Sequence, residues 1–123
     1  MGDRGNIVVD FGDRGKIYLY THSTGSDIGQ ILQDALNSPE GIARAHDESY
    51  LTRILFNHLT KDAYSPETGY GIAPYAPDNE HPLLIVCPER QTVRIGEDTI
   101  SFADFRKNGA KIYRDANGYE DED

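Results

Sequence analysis

Residues 6–22, NIVVDFGDRGKIYLYTH, decide the fold. Ile7, Val9 and Phe11 alternate with smaller or polar residues before a glycine-flanked turn, and Ile17, Leu19 and Thr21 alternate after it. A period of two on both sides of a turn predicts a β-hairpin. If Gly12-Asp13-Arg14-Gly15 is a type I turn with Gly15 in a left-handed bulge, Phe11 falls opposite Ile17 and Val9 opposite Leu19, with every aliphatic on one face. Asp10, Tyr18, Tyr20 and His22 then share the other face. A plain four-residue loop would turn the tyrosines to the aliphatic side and scatter Ile17 and Leu19.

Beyond the hairpin, Ile28, Ile31, Leu32, Ala35 and Leu36 lie at helical spacing, predicting an amphipathic helix over 27–37 with Ser26 as its N-cap. Ser38-Pro39 ends it and starts a short helical connector. Asp47 caps a second helix, ESYLTRILFNHLTKD, whose apolar stripe is Leu51, Ile54, Leu55 and Leu59. Four prolines and two glycines in AYSPETGYGIAPYAPDNEHP (63–82) predict loop around one edge-like extended piece at Tyr70 to Tyr75. LLIVC (83–87) is apolar throughout and reads as a central strand buried on both faces. TVRI and TISF follow as strands. Ser101 and Asp104 resemble a capping box for a short helix at 102–107, and Asn108-Gly109 is expected to turn the chain into a last extended piece, AKIYR. The expected fold is α+β, in the order ββααββββ, with a mainly antiparallel sheet of about five or six strands and both central helices on one face.

The chain has 123 residues, in the range of one domain. Five of its 21 acids, Asp115 and Glu120 to Asp123, sit at the end, so 1–114 carries 16 acidic against 12 basic residues while the whole is at −9. Residues 1–114 are thus predicted to form one compact domain and 115–123 an acidic disordered tail. Without a basic excess, nucleic acid is not an expected partner. The lack of an apolar run long enough for a membrane span, of a leader-like N-terminus and of more than one cysteine predicts a cytoplasmic protein with no membrane partner.

The segments KIYLYTH, DESYLTRILFNHLT, ETGYGIAPYAPDNEHPLLIV and QTVRIG resemble a family of small bacterial and phage proteins of uncharacterised activity, over about residues 6–105. The resemblance implies a compact accessory protein of mobile-element origin and carries no residue roles with it.

Catalytic motifs are weak. Asp10, His22 and Ser23 or Ser26 have the residue types of a hydrolytic triad, but G-x-S-x-G is absent and a triad is defined by geometry. His22, His46, His58, His81 and Cys87 lack zinc-ligand spacing, so no metal and no cofactor is expected, and His58 reads as a satisfied packing histidine. RKNGAKIYR reads as solvated surface. Tyrosine is the unusual feature, with eight copies and no tryptophan, and it is enriched at interfaces. The leading expectation is therefore a non-enzymatic protein that masks a host defence protein through Tyr64, Tyr70, Tyr75, Asp78 and Glu80. A homo-oligomer is a further possible partner arrangement. The alternative is a binder of a nucleotide or other phosphorylated ligand, with its anion on Thr24, Gly25 and Ser26 at the first helix N-terminus and its base on Tyr18, Tyr20 or His22. A small hydrolase ranks third.

Overall fold

The computed structural model describes residues 2–62 and 69–118. Strands β1 (Gly5–Asp10) and β2 (Lys16–Thr21) form the hairpin, followed by helices α1 (Ile28–Asn37), α2 (Pro39–Ala43) and α3 (Glu48–Thr60). Strands β3 (Tyr70–Ala73), β4 (Leu84–Cys87), β5 (Thr92–Ile95) and β6 (Asp98–Ser101) come next, and helix α4 (Phe102–Ala116) ends the described chain. The fold is α+β, as the alternation of strand and helix periods requires. No helix among the described residues is long and apolar enough to cross a membrane.

The strands make one sheet in the order β3-β2-β1-β4-β5-β6. It is mixed, because β1 and β4 run parallel while the other four neighbouring pairs are antiparallel. The expected sheet is mainly antiparallel, and the parallel pair is the departure from it: residues 74–83 carry the chain from β3 past β2 and β1, so β4 enters beside β1 in the same direction. In the hairpin Val9 pairs with Ile17 and Ile7 with Leu19, two residues from the expected register. The difference comes from the turn, where Gly12–Arg14 forms a single 3-10 turn and the Phe11 amide bonds the Gly15 carbonyl, making a five-residue connection. A shift of two preserves the faces. Ile7, Val9 and Leu19, with Leu84, Val86, Val93 and Ile95, pack under the helices, while Tyr18 and Tyr20 lie on the other side. Strand β4 is buried on the helix side at Leu84 and Val86 but only half-buried at Ile85 and Cys87, so the run of apolar residues overstated its enclosure.

Local caps form at Ser38 and Asp47. Ser38 Oγ accepts from the Gly41 amide, and Asp47 Oδ1 from the Tyr50 amide. The last helix differs most from expectation. Ser101 Oγ does accept from the Asp104 amide, but α4 continues to Ala116 through a kink at Asn108 (φ −135°, ψ 15°) instead of turning into a strand. Phe102, Phe105, Gly109 and Tyr113 bury one stripe of it. Gly29 on α1 permits the close packing: a Cβ there would stand 2.5 Å from Tyr113 Cβ. Arg106 of the expected solvated patch bonds the Leu36 carbonyl with Nε, and its own carbonyl accepts from Gln33 and Asn37, so this patch helps dock α4 on α1.

Candidate functional site

Strand β3 forms one margin of the sheet. The His22 amide donates to the Gly69 carbonyl, which fixes the hydrogen-bond phase: Gly71 and Ala73 turn their backbone groups toward β2, while Tyr70 and Ile72 turn theirs outward. Tyr70 pairs with Thr21 and packs its ring against the core. Ile72 pairs with Leu19, yet Leu19 is fully buried and Ile72 is 59% exposed. Tyr75, just past the strand, is 64% exposed. Among the described residues, the margin thus offers peptide groups without a strand partner, flanked by an aliphatic and an aromatic side chain.

The chain after Tyr75 is tied down by polar side chains. Asn6, fully buried in β1, donates from Nδ2 to the Asp78 carbonyl (3.0 Å) and to Asn79 Oδ1 (3.1 Å). The Arg4 amide donates to Glu80 Oε1 at 2.9 Å, the Glu80 amide returns a bond to the Arg4 carbonyl, and the Arg4 guanidinium lies 3.9 Å from Asp78. Tyr20 sits among these charges. Burial, reinforced by Asp78 and Glu80 and opposed by Arg4, raises its hydroxyl above the usual tyrosine value. Its hydroxyl is 3.1 Å from His22 Nδ1.

On the helix side of β1 a second knot closes. Asp3 accepts from the Ser26 amide (3.1 Å) and from Ser26 Oγ (2.6 Å), and His81 Nε2 stands 2.5 Å from the other carboxylate oxygen. His81 Nδ1 faces the Asn117 carboxamide at the end of α4. Gly25 makes this approach possible: its amide bonds the Asp3 carbonyl, and a Cβ would meet that oxygen and His81 Cδ2 at 2.7 Å each. Burial alone would raise the Asp3 pKa, but the Ser26 and His81 contacts outweigh it and hold the carboxyl below 3.8.

The predicted residues therefore fall into separate places. Tyr75, Asp78 and Glu80 lie along one connection, Tyr70 belongs to the core margin, and Tyr64 lies outside the described residues. In the ligand-binding alternative, Thr24 Oγ1 bonds Thr21 Oγ1 at 2.7 Å, Gly25 is buried, and Ser26 is held by Asp3 instead of capping α1. A carboxylate of the chain itself already occupies the place where a phosphate was expected, and a ligand anion would have to displace it. Tyr18 and Tyr20, both half-buried, stay on the face opposite the helices.

The geometry also bears on catalysis. Asp10 accepts from the Gly12 amide, whereas His22 contacts Tyr20 beyond the opposite end of β2, so this trio is not assembled. Asp3, His81 and Ser26 do meet, but Ser26 Oγ donates to the carboxylate and both imidazole nitrogens are engaged elsewhere. An activated nucleophile needs a base at its hydroxyl. Among the described residues Asp3, Glu80 and His81 are the one grouping whose ligand atoms lie within 4.8 Å of one another. Each already has a protein partner, which suits a lock between β1, residues 78–81 and α4. His58 departs from expectation, since its Nδ1 is buried without a hydrogen-bond partner among the described residues, beside a hollow of about 240 Å³ shared with Glu40 and Lys61.

Asp3, Asn6, Ile72 and Asn117 carried no local signal of their roles, because their partners lie 23 to 78 residues away or depend on where the sheet ends. No family model, curated protein or solved structure matches the chain.

Proposed function

We propose that this protein is a non-enzymatic binding module that holds an extended segment of a partner protein along the outer side of β3, and that it acts by masking a host protein. The observation that carries the reading is the outward backbone of Tyr70 and Ile72 beside exposed Ile72 and Tyr75. A segment adding there would form main-chain hydrogen bonds at alternate residues and seat its side chains against Ile72 and Tyr75. The saturated Asp3 and His81 groups favour binding over catalysis, and the resemblance to small phage and bacterial proteins supports a host target.

A partner captured from bacterial lysate is purified and titrated against Ile72→Glu and Tyr75→Ala. Ile72→Glu is expected to weaken binding by about thirtyfold or more, from the loss of a contact worth about 2 kcal/mol. Its melting temperature should stay unchanged, because Ile72 is outside the core. Unaltered affinity in both variants would place the interface elsewhere. Association of the chain with itself, lost in Ile72→Glu, would identify a second copy as the occupant.

A further inference from the structure

Most arginines of this acidic protein have partners. Arg14 reaches Glu48, Arg44 reaches Asp47, Arg4 approaches Asp78, Arg53 bonds Asn57 and Arg106 bonds the Leu36 carbonyl. The side chains of Arg90, Arg94 and Glu89 have no hydrogen bond or ion pair among the described residues. All three line the same hollow of about 330 Å³ on the sheet face away from the helices. That volume is at the lower end of small-molecule sites.

Strand register explains the lining. Ile85, Arg94 and Thr99 form one row across β4, β5 and β6, and Cys87 and Thr92 form the next across β4 and β5. Asp10 follows Val9, which pairs with Val86, so it stands beside Cys87 on β1. Ile85 and Cys87 are the half-buried floor. Asp10 and Arg94 stand two strands and one row apart, about 12 Å at the backbone. Both line the hollow, Asp10 with one carboxylate oxygen already accepting from the Gly12 amide, and the space between them separates opposite charges.

The signs select the ligand class. A simple anion drawn to Arg90 and Arg94 would be opposed by Asp10 and Glu89, and a simple cation would meet the reverse. A molecule carrying both charges satisfies both groups. We propose that this hollow binds a small zwitterion of the α-amino-acid class. Its carboxylate is held by the Arg94 guanidinium, whose fork suits two parallel hydrogen bonds, with the Thr99 hydroxyl beside it. Its ammonium faces Asp10 and Glu89, and an aliphatic side chain rests on Ile85 and Cys87. The site lies toward the β6 margin and does not depend on the proposed interface at β3.

The test is calorimetric titration of the full chain with each common L-amino acid, followed by the N-acetyl and carboxamide forms of the best binder. Saturable binding is expected for at least one apolar amino acid. Removing either charge should weaken it by about tenfold or more, a factor equal to about 1.4 kcal/mol. Arg94→Gln and Asp10→Asn should weaken it similarly with unchanged melting. Amide shifts in the unsubstituted protein should centre on Ile85, Cys87, Thr92, Arg94 and Thr99, a readout independent of any variant. Absence of binding for every amino acid at about 10 mM, which limits affinity to weaker than about 3 kcal/mol, would overturn the proposal. Equal binding of acetate, full affinity in Arg94→Gln, or shifts confined to another surface would do the same.

Discussion

The two margins of the sheet carry the same number of outward backbone residues and opposite side chains. At β6 the phase set by the bond from Phe102 to Gln91 turns the peptide groups of Thr99 and Ser101 outward. Ile100 points into the protein and packs against the core, Asp98 and Thr99 are exposed and polar, and Ser101 is committed to capping α4. At β3 the aromatic Tyr70 packs inward, and the outward position belongs to Ile72, with Tyr75 beyond it. Polar and charged residues are a common means of keeping a sheet edge from pairing with another chain. One margin of this protein has that protection and the other lacks it, which is why β3 is assigned the partner.

The comparison can be broken from several sides. The largest effect is expected in α4, the helix that follows β6 and packs on α1. Tyr113 is 1% exposed and donates its hydroxyl to the Gly25 carbonyl, so Tyr113→Ala should cost about 3–5 kcal/mol in urea unfolding. Next, Gly29→Ala forces a methyl against the Tyr113 ring and should cost about 1–3 kcal/mol by the same measurement, whereas Gly71→Ala in β3, where the nearest atom is 3.8 Å away, should cost less. If the two glycine variants are equally damaging, α4 is not the tightly held element described. Removing protection at β6 with Asp98→Val and Thr99→Ile should produce self-association in light scattering that the native chain lacks at that margin. The smallest effect is an acid one. The Asp3 carboxyl is held below its ordinary value, so its contribution is complete above about pH 4 and is lost as pH falls through the lowered folded value. Stability followed by urea titration should fall less steeply below pH 4 in Asp3→Asn. Equal slopes would show that the Asp3 knot does not contribute to acid sensitivity.

Much of this architecture was legible in periodicity. The hairpin faces, α1, the Asp47 cap of α3 and the edge position of Tyr70 to Ala73 follow from alternation, helical spacing and cap residues. The end of the chain was misleading because Asn108-Gly109 is a strong turn signal, while Phe102, Phe105, Gly109 and Tyr113 at near-helical spacing pointed to the continuous helix that forms. Gly109 belongs to that stripe because the Phe105 ring lies against it. The parallel β1 and β4 pair depends on the path of residues 74–83, which no local pattern specifies. At the candidate site, the chemistry of Tyr75 points to an interface in sequence, whereas that of Ile72 does not. An isoleucine in a short strand is ordinary in sequence, and its exposure depends on the place of β3 at the sheet margin, which tertiary structure sets. Ser26 was legible as a helix-start residue, whereas its acceptor Asp3, 23 residues earlier, was not.

Amide hydrogen exchange on the purified partner complex tests the difference between the margins most directly. The amides of Tyr70 and Ile72 should become protected on binding, while those of Thr99 and Ser101 keep their free-protein rates. Unchanged exchange at Tyr70 and Ile72 in a saturated complex would contradict the account.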